Sequence, residues 1–275
     1  MTRLITAIPA LLALALPAGA QEVQRSIEPV AGDVYLMRNN FHNSLLVVTD
    51  EGVVRVDPIN ADAGAWLNDT LPTITDQPVT HLIYSHSHGD HGSGGEAHPG
   101  AMVIAHEDAP DSINGVTADL RVGDTHVLEL GGKTIELHNL GSGHDNHMLA
   151  AVVRPENVAF IVDVAAPRRL PFQDFGGANV DDWIGQIEAA QALDFEIFAP
   201  GHGAVGNKSD LDDAHQYMLD LKSAVLAGLQ AGKSVEALKA EVTLDAYMGW
   251  GQYEAWRELN VEGMARHLQE SGQVN

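Results

Sequence analysis

The strongest constraint on the fold of this 275-residue chain comes from residues 85–92, which read SHSHGDHG. They directly follow residues 82–84, a short apolar run with the composition of a buried strand. Side chains two positions apart on an extended segment point the same way, so His86 and His88 can face one metal ion. Functional groups of layered α/β folds collect just beyond strand ends. The stretch therefore predicts a metal site at the end of a strand.

The second half of the same stretch offers further ligands. Asp90 and His91 follow where the strand ends, and Gly89 and Gly92 allow a tight turn into a helix. That turn can direct the carboxylate and the imidazole at a second ion close to the first. An H-x-H-x-D-H match arises by chance in a chain of this composition on the order of a few times in a thousand.

Three further candidates stand at the ends of other predicted strands. His144 lies in a glycine-rich loop, Asp163 ends the apolar run 159–162, and His202 lies in a Pro-Gly-His-Gly segment. Each one alone is more often a turn or cap residue than a ligand. Together with the earlier histidines and aspartate they form a full set of nitrogen and oxygen ligands for two ions, and this conjunction favours a dinuclear site.

The rest of the chain indicates one domain, because no repeat, low-complexity tract or long linker interrupts it. Apolar, β-branched runs predict strands at residues 34–37, 45–49, 53–56, 81–84, 102–105, 126–130, 134–138, 149–153, 158–162 and 196–199. Helices are predicted at residues 61–71, at 182–193 with Asp181 as N-cap, and from 209 onward with two breaks. Strand-rich blocks with helices between and after them predict a layered α/β architecture.

Charge and composition exclude several classes of protein. The chain has 15 Lys and Arg against 38 Asp and Glu, a formal net charge of −23, which argues against a nucleic-acid or anionic-membrane surface. It has no cysteine, which excludes disulfides, thiolate zinc ligands and a cysteine nucleophile. A metal site in this chain must therefore use nitrogen and oxygen ligands.

The first twenty residues have the pattern of a signal peptide. Arg3 gives a positive start, residues 4–16 are apolar, and residues 17–20 form a small-residue cleavage site. The apolar run is shorter than the roughly 20 residues that cross a bilayer, and no other segment approaches that length. We expect a signal peptide at 1–20 and a domain at 21–275 without a membrane anchor, in the periplasm or secreted. An uncleaved anchor is the alternative.

With these residues the sequence resembles the metallo-β-lactamase-fold hydrolase superfamily. The resemblance spans about residues 30–203 and rests on the H-x-H-x-D-H motif followed by the three later candidates in the same chain order. It implies a four-layer αβ/βα sandwich, here with an extended C-terminal helical segment. It also implies the ligands: His86, His88 and His144 for the first ion, Asp90, His91 and His202 for the second, and Asp163 between the two.

The resemblance implies a mechanism as well. Imidazole and carboxylate ligands suit two zinc ions, with iron or manganese as possible substitutes. A water that bridges two ions roughly 3.5–4 Å apart would lose its proton near neutral pH and act as a hydroxide nucleophile. Asp90 would be the catalytic residue that orients the hydroxide or passes a proton to the leaving atom.

The motif departs from that of some β-lactamases. Subclass B1 enzymes lack a histidine at the position of His91 and have a cysteine at that of Asp163, whereas subclass B3 and glyoxalase II resemble this chain more closely. The lysine that often binds the lactam carboxylate has no match at Ala166. Arg168 or Arg169 could bind substrate in its place, because a guanidinium binds a carboxylate bidentately. The equally favoured alternative is that Arg168 and Arg169 are solvated loop residues without a role in binding.

Several other segments admit two interpretations. The loop 39–42 is either a flap over substrate or a plain hairpin, and His42 is taken as structural or exposed. His147 is taken as a loop or surface residue. The apolar segment 169–175 either walls a pocket or packs on the C-terminal helices, which themselves either cover the site or form a dimer contact. Helical spacing favours core positions for three aromatic residues: Trp250, Tyr253 and Trp256.

The leading hypothesis is an exported zinc-dependent hydrolase that acts on a small-molecule cyclic amide or ester, with a β-lactam as the most concrete example. Export favours it, because antibiotics and envelope compounds lie outside the cytoplasm. A glyoxalase II-like thioester hydrolase is the second hypothesis, and an accessory metalloprotein of a periplasmic redox system is the third.

Overall fold

Alternating apolar residues form two β-sheets that pack face to face in the computed structural model, which describes residues 23–274. The first sheet contains, in spatial order, β1 (Arg25–Ala31), β2 (Val34–Asn39), β3 (His42–Thr49), β4 (Gly52–Val56), β5 (Val79–Ile83), β6 (Met102–His106) and β7 (Leu120–Val122). The second contains β8 (Thr125–Leu130), β9 (Lys133–Asn139), β10 (Leu149–Arg154), β11 (Val158–Ile161), β12 (Ile197–Pro200) and β13 (Gly206–Asn207), also in spatial order.

Side-chain alternation along the strands produces the layers. Leu45 and Val47 of β3 face the second sheet, whereas Leu46 between them packs against Ala63 and Leu67 of helix α1 (Ala61–Thr70). This is the period-two pattern of a strand that is buried on both faces. The first sheet is therefore covered by a helix on one side and by the second sheet on the other.

The outer face of the second sheet carries the remaining long helices. These are α3 (Val180–Ala192), α4 (Ser209–Gln230), α5 (Val235–Glu241) and α6 (Tyr253–Glu270), while the single turn α2 (Gly89–Gly92) follows β5 in the first sheet. Ala159 and Ile161 of β11 pack into this helical layer, and Phe160 between them faces the first sheet. The four layers and the extended C-terminal helical segment confirm the predicted α/β fold class.

The element boundaries differ from the predictions in a few places. Strands β1, β7 and β13 were not predicted. Helix α3 begins at Val180, and its N-cap is Asn179, not Asp181, so that prediction was wrong. The Asn179 side chain accepts hydrogen bonds from the backbone N–H groups of Asp181 and Asp182, at 3.0 and 3.4 Å. The Asp181 carboxylate instead pairs with Lys222.

The signal peptide predicted at residues 1–20 lies outside the described residues. Between residues 23 and 274, no helix combines the length and the apolar character that spanning a bilayer requires.

Candidate metal centre

All seven predicted ligands meet at one end of the two facing sheets. His86 and His88 follow β5, and α2 carries Asp90 and His91. The other three come from the second sheet: His144 from the β9–β10 loop, Asp163 from the end of β11 and His202 from the end of β12. Their donor atoms form two groups, in each of which the atoms lie within 4.8 Å of one another.

The first group consists of His86, His88, His144 and one oxygen of Asp163. Oδ2 of Asp163 lies 3.6 Å from Nε2 of His86 and 3.5 Å from Nε2 of His144. Nδ1 of His88 lies 3.0 Å from Nε2 of His144. Three imidazole nitrogens and a carboxylate oxygen thus converge on one point.

The second group consists of Asp90, His91, His202 and the other oxygen of Asp163. Oδ1 of Asp163 lies 3.1 Å from Nε2 of His202 and 3.5 Å from Nε2 of His91. Oδ2 of Asp90 lies 3.7 Å from Nε2 of His202. Asp163 therefore presents one carboxylate oxygen to each group and is the only residue shared by the two.

Local backbone geometry directs Asp163 into this position. Its φ is +57°, a left-handed conformation that aspartate tolerates better than most residues and that turns the side chain away from the direction of β11. Gly201 leaves room for the carboxylate. A Cβ at that glycine would lie 2.6 Å from Cγ1 of Val162 and 3.0 Å from Cε1 of His91. The Pro-Gly-His-Gly segment thus needs its first glycine so that the β12 end can approach the site.

The electrostatics of the two groups favour a positive charge between them. Burial alone would raise the pKa of Asp163, yet His91 and His202 beside it hold that pKa well below its usual range. Burial lowers the pKa of His86 well below its usual range, and it also lowers that of His144, which favours the neutral imidazole that a metal ligand requires. Burial opposes protonation of His91, but Asp163 and Asp57 raise its pKa well above the usual value.

The residues present fit divalent cations. Nε2 of His86 and Oδ1 of Asp163 are buried and have no hydrogen-bond partner among the described residues, and both point into the groups. Buried polar atoms are normally satisfied, so atoms left without a partner indicate a missing ligand. The ring nitrogens of His91 and His202 lie only 3.2 Å apart. Imidazole and carboxylate groups are the donors that zinc, iron and manganese take in sites without thiolates.

Asp57 supports the second group from behind, a role that the sequence analysis did not assign. It is fully buried just after β4, with a left-handed φ of +64°. Its carboxylate accepts hydrogen bonds from the backbone N–H and the hydroxyl of Ser85, at 2.8 and 2.7 Å. Oδ2 of Asp57 lies 3.3 Å from Nδ1 of His91. A carboxylate behind a ligand histidine fixes the ring and its tautomer.

His42 was taken as structural or exposed, but the structure places it in the site. Its Nε2 lies 3.5 Å from Oδ2 of Asp90, and its ring centroid lies 4.9 Å from that of His202. Residues 40 and 41 connect β2 to β3, and this two-residue connection places His42, the first residue of β3, at the edge of the metal centre. The backbone carbonyl of Phe41 lies 2.8 Å from Nδ1 of His202, which can donate a hydrogen bond to it.

The loop that carries His144 is fixed by α3. Gln186 accepts a hydrogen bond from the backbone N–H of His144 at 2.7 Å and donates to the carbonyl oxygens of Gly141 and Asp145. The ring of Trp183 packs edge-on against His144 at 4.8 Å between centroids. His147 is buried with Nδ1 3.2 Å from Asp145, so it is neither a surface residue nor a member of either group.

A cavity of about 930 Å³ opens beside the two groups. Arg169 lies in its wall, whereas Arg168 is exposed and lies outside it. Two of the three aromatic residues that were assigned to the core, Trp250 and Trp256, also line this cavity. The segment 169–175 fits both of its interpretations, because it walls the cavity and packs on the helical layer.

Comparisons with known proteins agree with this architecture. No protein-family profile matches the chain, and no curated protein matches it in a sequence search. Among solved structures, a metallo-β-lactamase from Pontibacter korlensis superposes with a TM-score of 0.64 at 21% identity, over 71% of this chain and 99% of that one. The metallo-β-lactamase DIM-1 superposes with a TM-score of 0.62 at 18% identity, over 72% of this chain and 99% of that one.

A third structure resembles more of the chain. It is a double mutant of the sec-alkyl sulfatase PisA1, with a TM-score of 0.70 at 14% identity, over 90% of this chain but only 50% of the sulfatase. Identities this low establish the fold and leave the reaction open. With two packed sheets, helices on both outer faces and a histidine-rich site at the strand ends, this chain has the metallo-β-lactamase fold.

Proposed function

We propose that this protein is an exported, dinuclear zinc hydrolase that acts on a small-molecule cyclic amide or ester, with β-lactams as the first class to test. The observation that carries the proposal is the position of Asp163, whose two oxygens face two separate groups of histidines. A carboxylate that bound a single ion with both oxygens would have both of them beside one group of ligands, whereas here each oxygen lies in a different group.

The two groups would hold the ions with the ligands already described. Zinc bound there would supply Lewis acidity, which polarises a carbonyl oxygen and lowers the pKa of water. The protein contributes the position of the ligands. Asp57 orients His91, Gln186 fixes the loop of His144, and Phe41 orients His202 through its backbone carbonyl.

Asp90 is the residue we assign to proton transfer. Its side chain is 45% exposed and lies in the wall of the cavity, so it can reach a substrate. Burial would raise its pKa, but a hydrogen bond from His42 and the charge of His91 lower that pKa below its usual range. The group is therefore a carboxylate at neutral pH, and from the cavity wall it can orient an attacking water or pass a proton to a leaving nitrogen or oxygen.

Arg169 is the residue we assign to substrate binding. Its guanidinium lies 4.8 Å from the ring centroid of Trp256 in the cavity wall and has no ion-pair partner within residues 23–274. Burial lowers its pKa and Asp163 opposes that change, but a guanidinium stays protonated. It can thus bind a substrate carboxylate, whereas the exposed Arg168 is not part of the cavity wall.

The test is a metal analysis and a substrate panel on one purified sample. We expect about two zinc ions per chain after loading and dialysis. The panel contains nitrocefin, a lactone, S-lactoylglutathione and an alkyl sulfate. Turnover of nitrocefin or the lactone, abolished in His88→Ala and retained in the control His126→Ala on β8, would support the proposal. Turnover of the thioester alone would favour the glyoxalase II-like alternative, and two ions without any turnover would favour an accessory metalloprotein.

Export is tested separately. Mass spectrometry of the protein from the periplasmic fraction of an expressing Gram-negative cell should give an N-terminus at Gln21. A chain that retains residues 1–20 in the membrane fraction would contradict this part of the proposal.

A further inference from the structure

The cavity beside the metal centre is larger than a compact substrate needs. Its volume of about 930 Å³ lies near the upper end of the range for small-molecule sites. One end is formed by the metal centre. The other end is walled by apolar side chains, which we call the apolar chamber: Leu170, Phe172, Phe175, Ile187, Ala214, Tyr217, Met218, Trp250 and Trp256.

Two aromatic side chains in and beside the chamber have their polar atoms bonded to the protein. The hydroxyl of Tyr217 donates a 2.6 Å hydrogen bond to Oδ1 of the buried Asn260. The indole N–H of Trp183, at the boundary with the metal centre, donates to the carbonyl oxygen of Val164 at 2.8 Å. These two donors are therefore already used and do not attract a polar ligand.

The chamber is formed by α3, which carries Ile187, by α4 and α6, and by the segments that carry residues 170–175 and Trp250. Ala214, Tyr217 and Met218 lie on α4, Trp256 lies on α6, and Phe172 comes from the segment after β11. Phe172 is 49% exposed, and its ring meets that of Trp256 edge-on at 5.4 Å between centroids. An aromatic pair at the mouth and aliphatic and aromatic side chains behind it form a continuous apolar wall.

The charges around the cavity define the orientation of a ligand. The metal centre supplies charge at one end, and Arg169 stands over Trp256. Outside the metal centre and its loops, the ionised side chains in the cavity wall are Arg169 and Asp182. A ligand that fits both ends has a polar, reactive head and an apolar tail. A compact polar substrate would leave the exposed ring of Phe172 and the half-buried ring of Trp256 in contact with water, which is unfavourable.

We propose that the apolar chamber binds a long alkyl or acyl group of the substrate, so that this protein acts on amphipathic esters or amides. The inference rests on the proposed function for the position of the scissile bond at the metal centre. The chamber itself can be tested without it, because tail binding does not need catalysis.

The first measurement is calorimetric titration of the metal-free protein with butanoate, hexanoate, octanoate and decanoate. We expect the affinity to rise about fourfold per added methylene. We also expect the heat-capacity change of binding to become more negative along the series. Ala214→Phe fills the chamber and should abolish the dependence on chain length. The matched control is Leu219→Phe, which places the same ring on an exposed position of α4.

A second variant tests the same inference in case Ala214→Phe does not fold. Met218→Gln keeps the side-chain volume but puts an amide into the chamber, so it should reduce the gain per methylene without blocking it. A wild-type affinity that is independent of chain length would overturn the inference. So would an Ala214→Phe variant that folds and still shows the wild-type dependence.

The second measurement uses the zinc-loaded protein with p-nitrophenyl esters of the same acids. We expect kcat/KM to rise with chain length in the wild type and to stay flat in Ala214→Phe. Equal turnover of short and long esters would overturn the inference and leave the proposed function intact. Binding that depends on chain length without turnover of any ester or amide would support the chamber as an alkyl site and contradict the proposed function.

Discussion

Two buried clusters of polar side chains lie close together in this protein, and they differ in how their polar atoms are satisfied. The metal centre contains histidine nitrogens and a carboxylate oxygen without partners among the described residues. The second cluster surrounds Arg55, which is fully buried on β4, and includes His98. Both contain histidines and an ionisable partner, so burial and composition do not distinguish them.

The Arg55 cluster satisfies its own donors. Arg55 donates hydrogen bonds to Nε2 of His98 at 2.6 Å, to the carbonyl oxygen of Pro58 at 2.7 Å and to the hydroxyl of Ser44 at 3.1 Å. Desolvation lowers the pKa of Arg55 to about 9, although Asp57 opposes the change. Every polar partner here belongs to the protein.

The comparison shows that the metal centre is distinguished by several donor atoms that converge on one point, some of them without partners, and not by buried charge. A cluster that pairs internally stabilises the fold, because separating it would leave buried donors unsatisfied. A cluster whose lone pairs converge on a point needs a cation. Removal of a side chain should therefore affect metal binding in one cluster and folding stability in the other.

The largest effect is expected from Asp163→Asn, because that residue serves both groups. The amide has one neutral oxygen and a donor where the carboxylate offers two anionic oxygens. We expect the variant to retain fewer than two zinc ions and to lose more affinity than the 10–100-fold cost of losing a supporting residue. In the wild type, zinc at 1,000 times its Kd should raise the free energy of unfolding by about 4 kcal/mol.

Metal analysis after dialysis measures the number of bound zinc ions. Thermal unfolding with and without zinc measures the stabilisation that zinc provides. Asp108→Asn, at an exposed position, is the matched control. An Asp163→Asn variant that keeps two ions and the full zinc stabilisation would contradict the sharing of Asp163.

Arg55→Met should give the opposite result. Methionine replaces much of the volume but leaves the Ser44 hydroxyl, the Pro58 carbonyl and His98 without their donor. We expect the free energy of unfolding of the metal-free protein to fall by about 4 kcal/mol, while the folded variant binds as much zinc as the wild type. Urea denaturation and metal analysis test this.

Arg25→Met is the control, since Arg25 pairs with the exposed Asp62 and should contribute less than about 1 kcal/mol. Loss of zinc binding in a folded Arg55→Met variant would mean that the two clusters are coupled.

His98 makes the Arg55 cluster sensitive to acid. Burial lowers the pKa of His98 to about 3, and the adjacent Arg55 acts in the same direction. Because the folded pKa lies below the unfolded value of about 6.5, neutral His98 contributes its full stability above pH 6.5 and loses it as the pH falls from there toward 3. We expect this residue to account for about 3 kcal/mol of the stability lost between pH 7 and pH 4.

The comparison with His98→Gln isolates that contribution, since glutamine keeps an acceptor for Arg55 and cannot be protonated. Unfolding free energies of the metal-free proteins at several pH values should fall less steeply in the variant. Equal slopes would show that His98 does not titrate in this range.

Asp57 stands between the two clusters, because it contacts His91 and lies near Arg55. In Asp57→Asn one of the hydrogen bonds from Ser85 or the contact with His91 must be lost. We expect zinc affinity to fall by about 10–100-fold, measured by competition with a chromophoric chelator. Asp119→Asn, whose carboxylate accepts a hydrogen bond from Val103, is the control at a distance from the site. Unchanged zinc affinity in Asp57→Asn would show that Asp57 does not support the metal centre.

Much of this site could be predicted from the sequence, because local pattern determines it. The spacing of His86, His88, Asp90 and His91 within a turn brings them together without any knowledge of the fold. Asp57 could also have been found. It directly follows an apolar strand, as Asp163 does. The pattern that identified Asp163 as a candidate therefore applies to Asp57 as well.

The remaining differences depend on tertiary structure. Trp250 and Trp256 have the helical spacing of core residues, and that spacing is the same whether a ring faces another side chain or a cavity. Asn179 and Asp181 are both good helix caps, and the choice depended on the pairing of Asp181 with Lys222. No periodicity marks the short connection at residues 40 and 41, so the place of His42 depends on where β3 begins relative to the second sheet.

His42 should have the smallest effect of the residues considered, because it contacts a ligand at the exposed edge of the centre. In His42→Ala, Asp90 loses the 3.5 Å contact between its Oδ2 and Nε2 of His42. A partly exposed polar contact of this kind contributes up to about 1 kcal/mol, so we expect zinc binding at the second group to weaken about fivefold at most, without loss of an ion. The same chelator competition measures it, with His126→Ala as the control. If His42→Ala retained only one zinc ion, His42 would be a metal ligand and would belong to the second group.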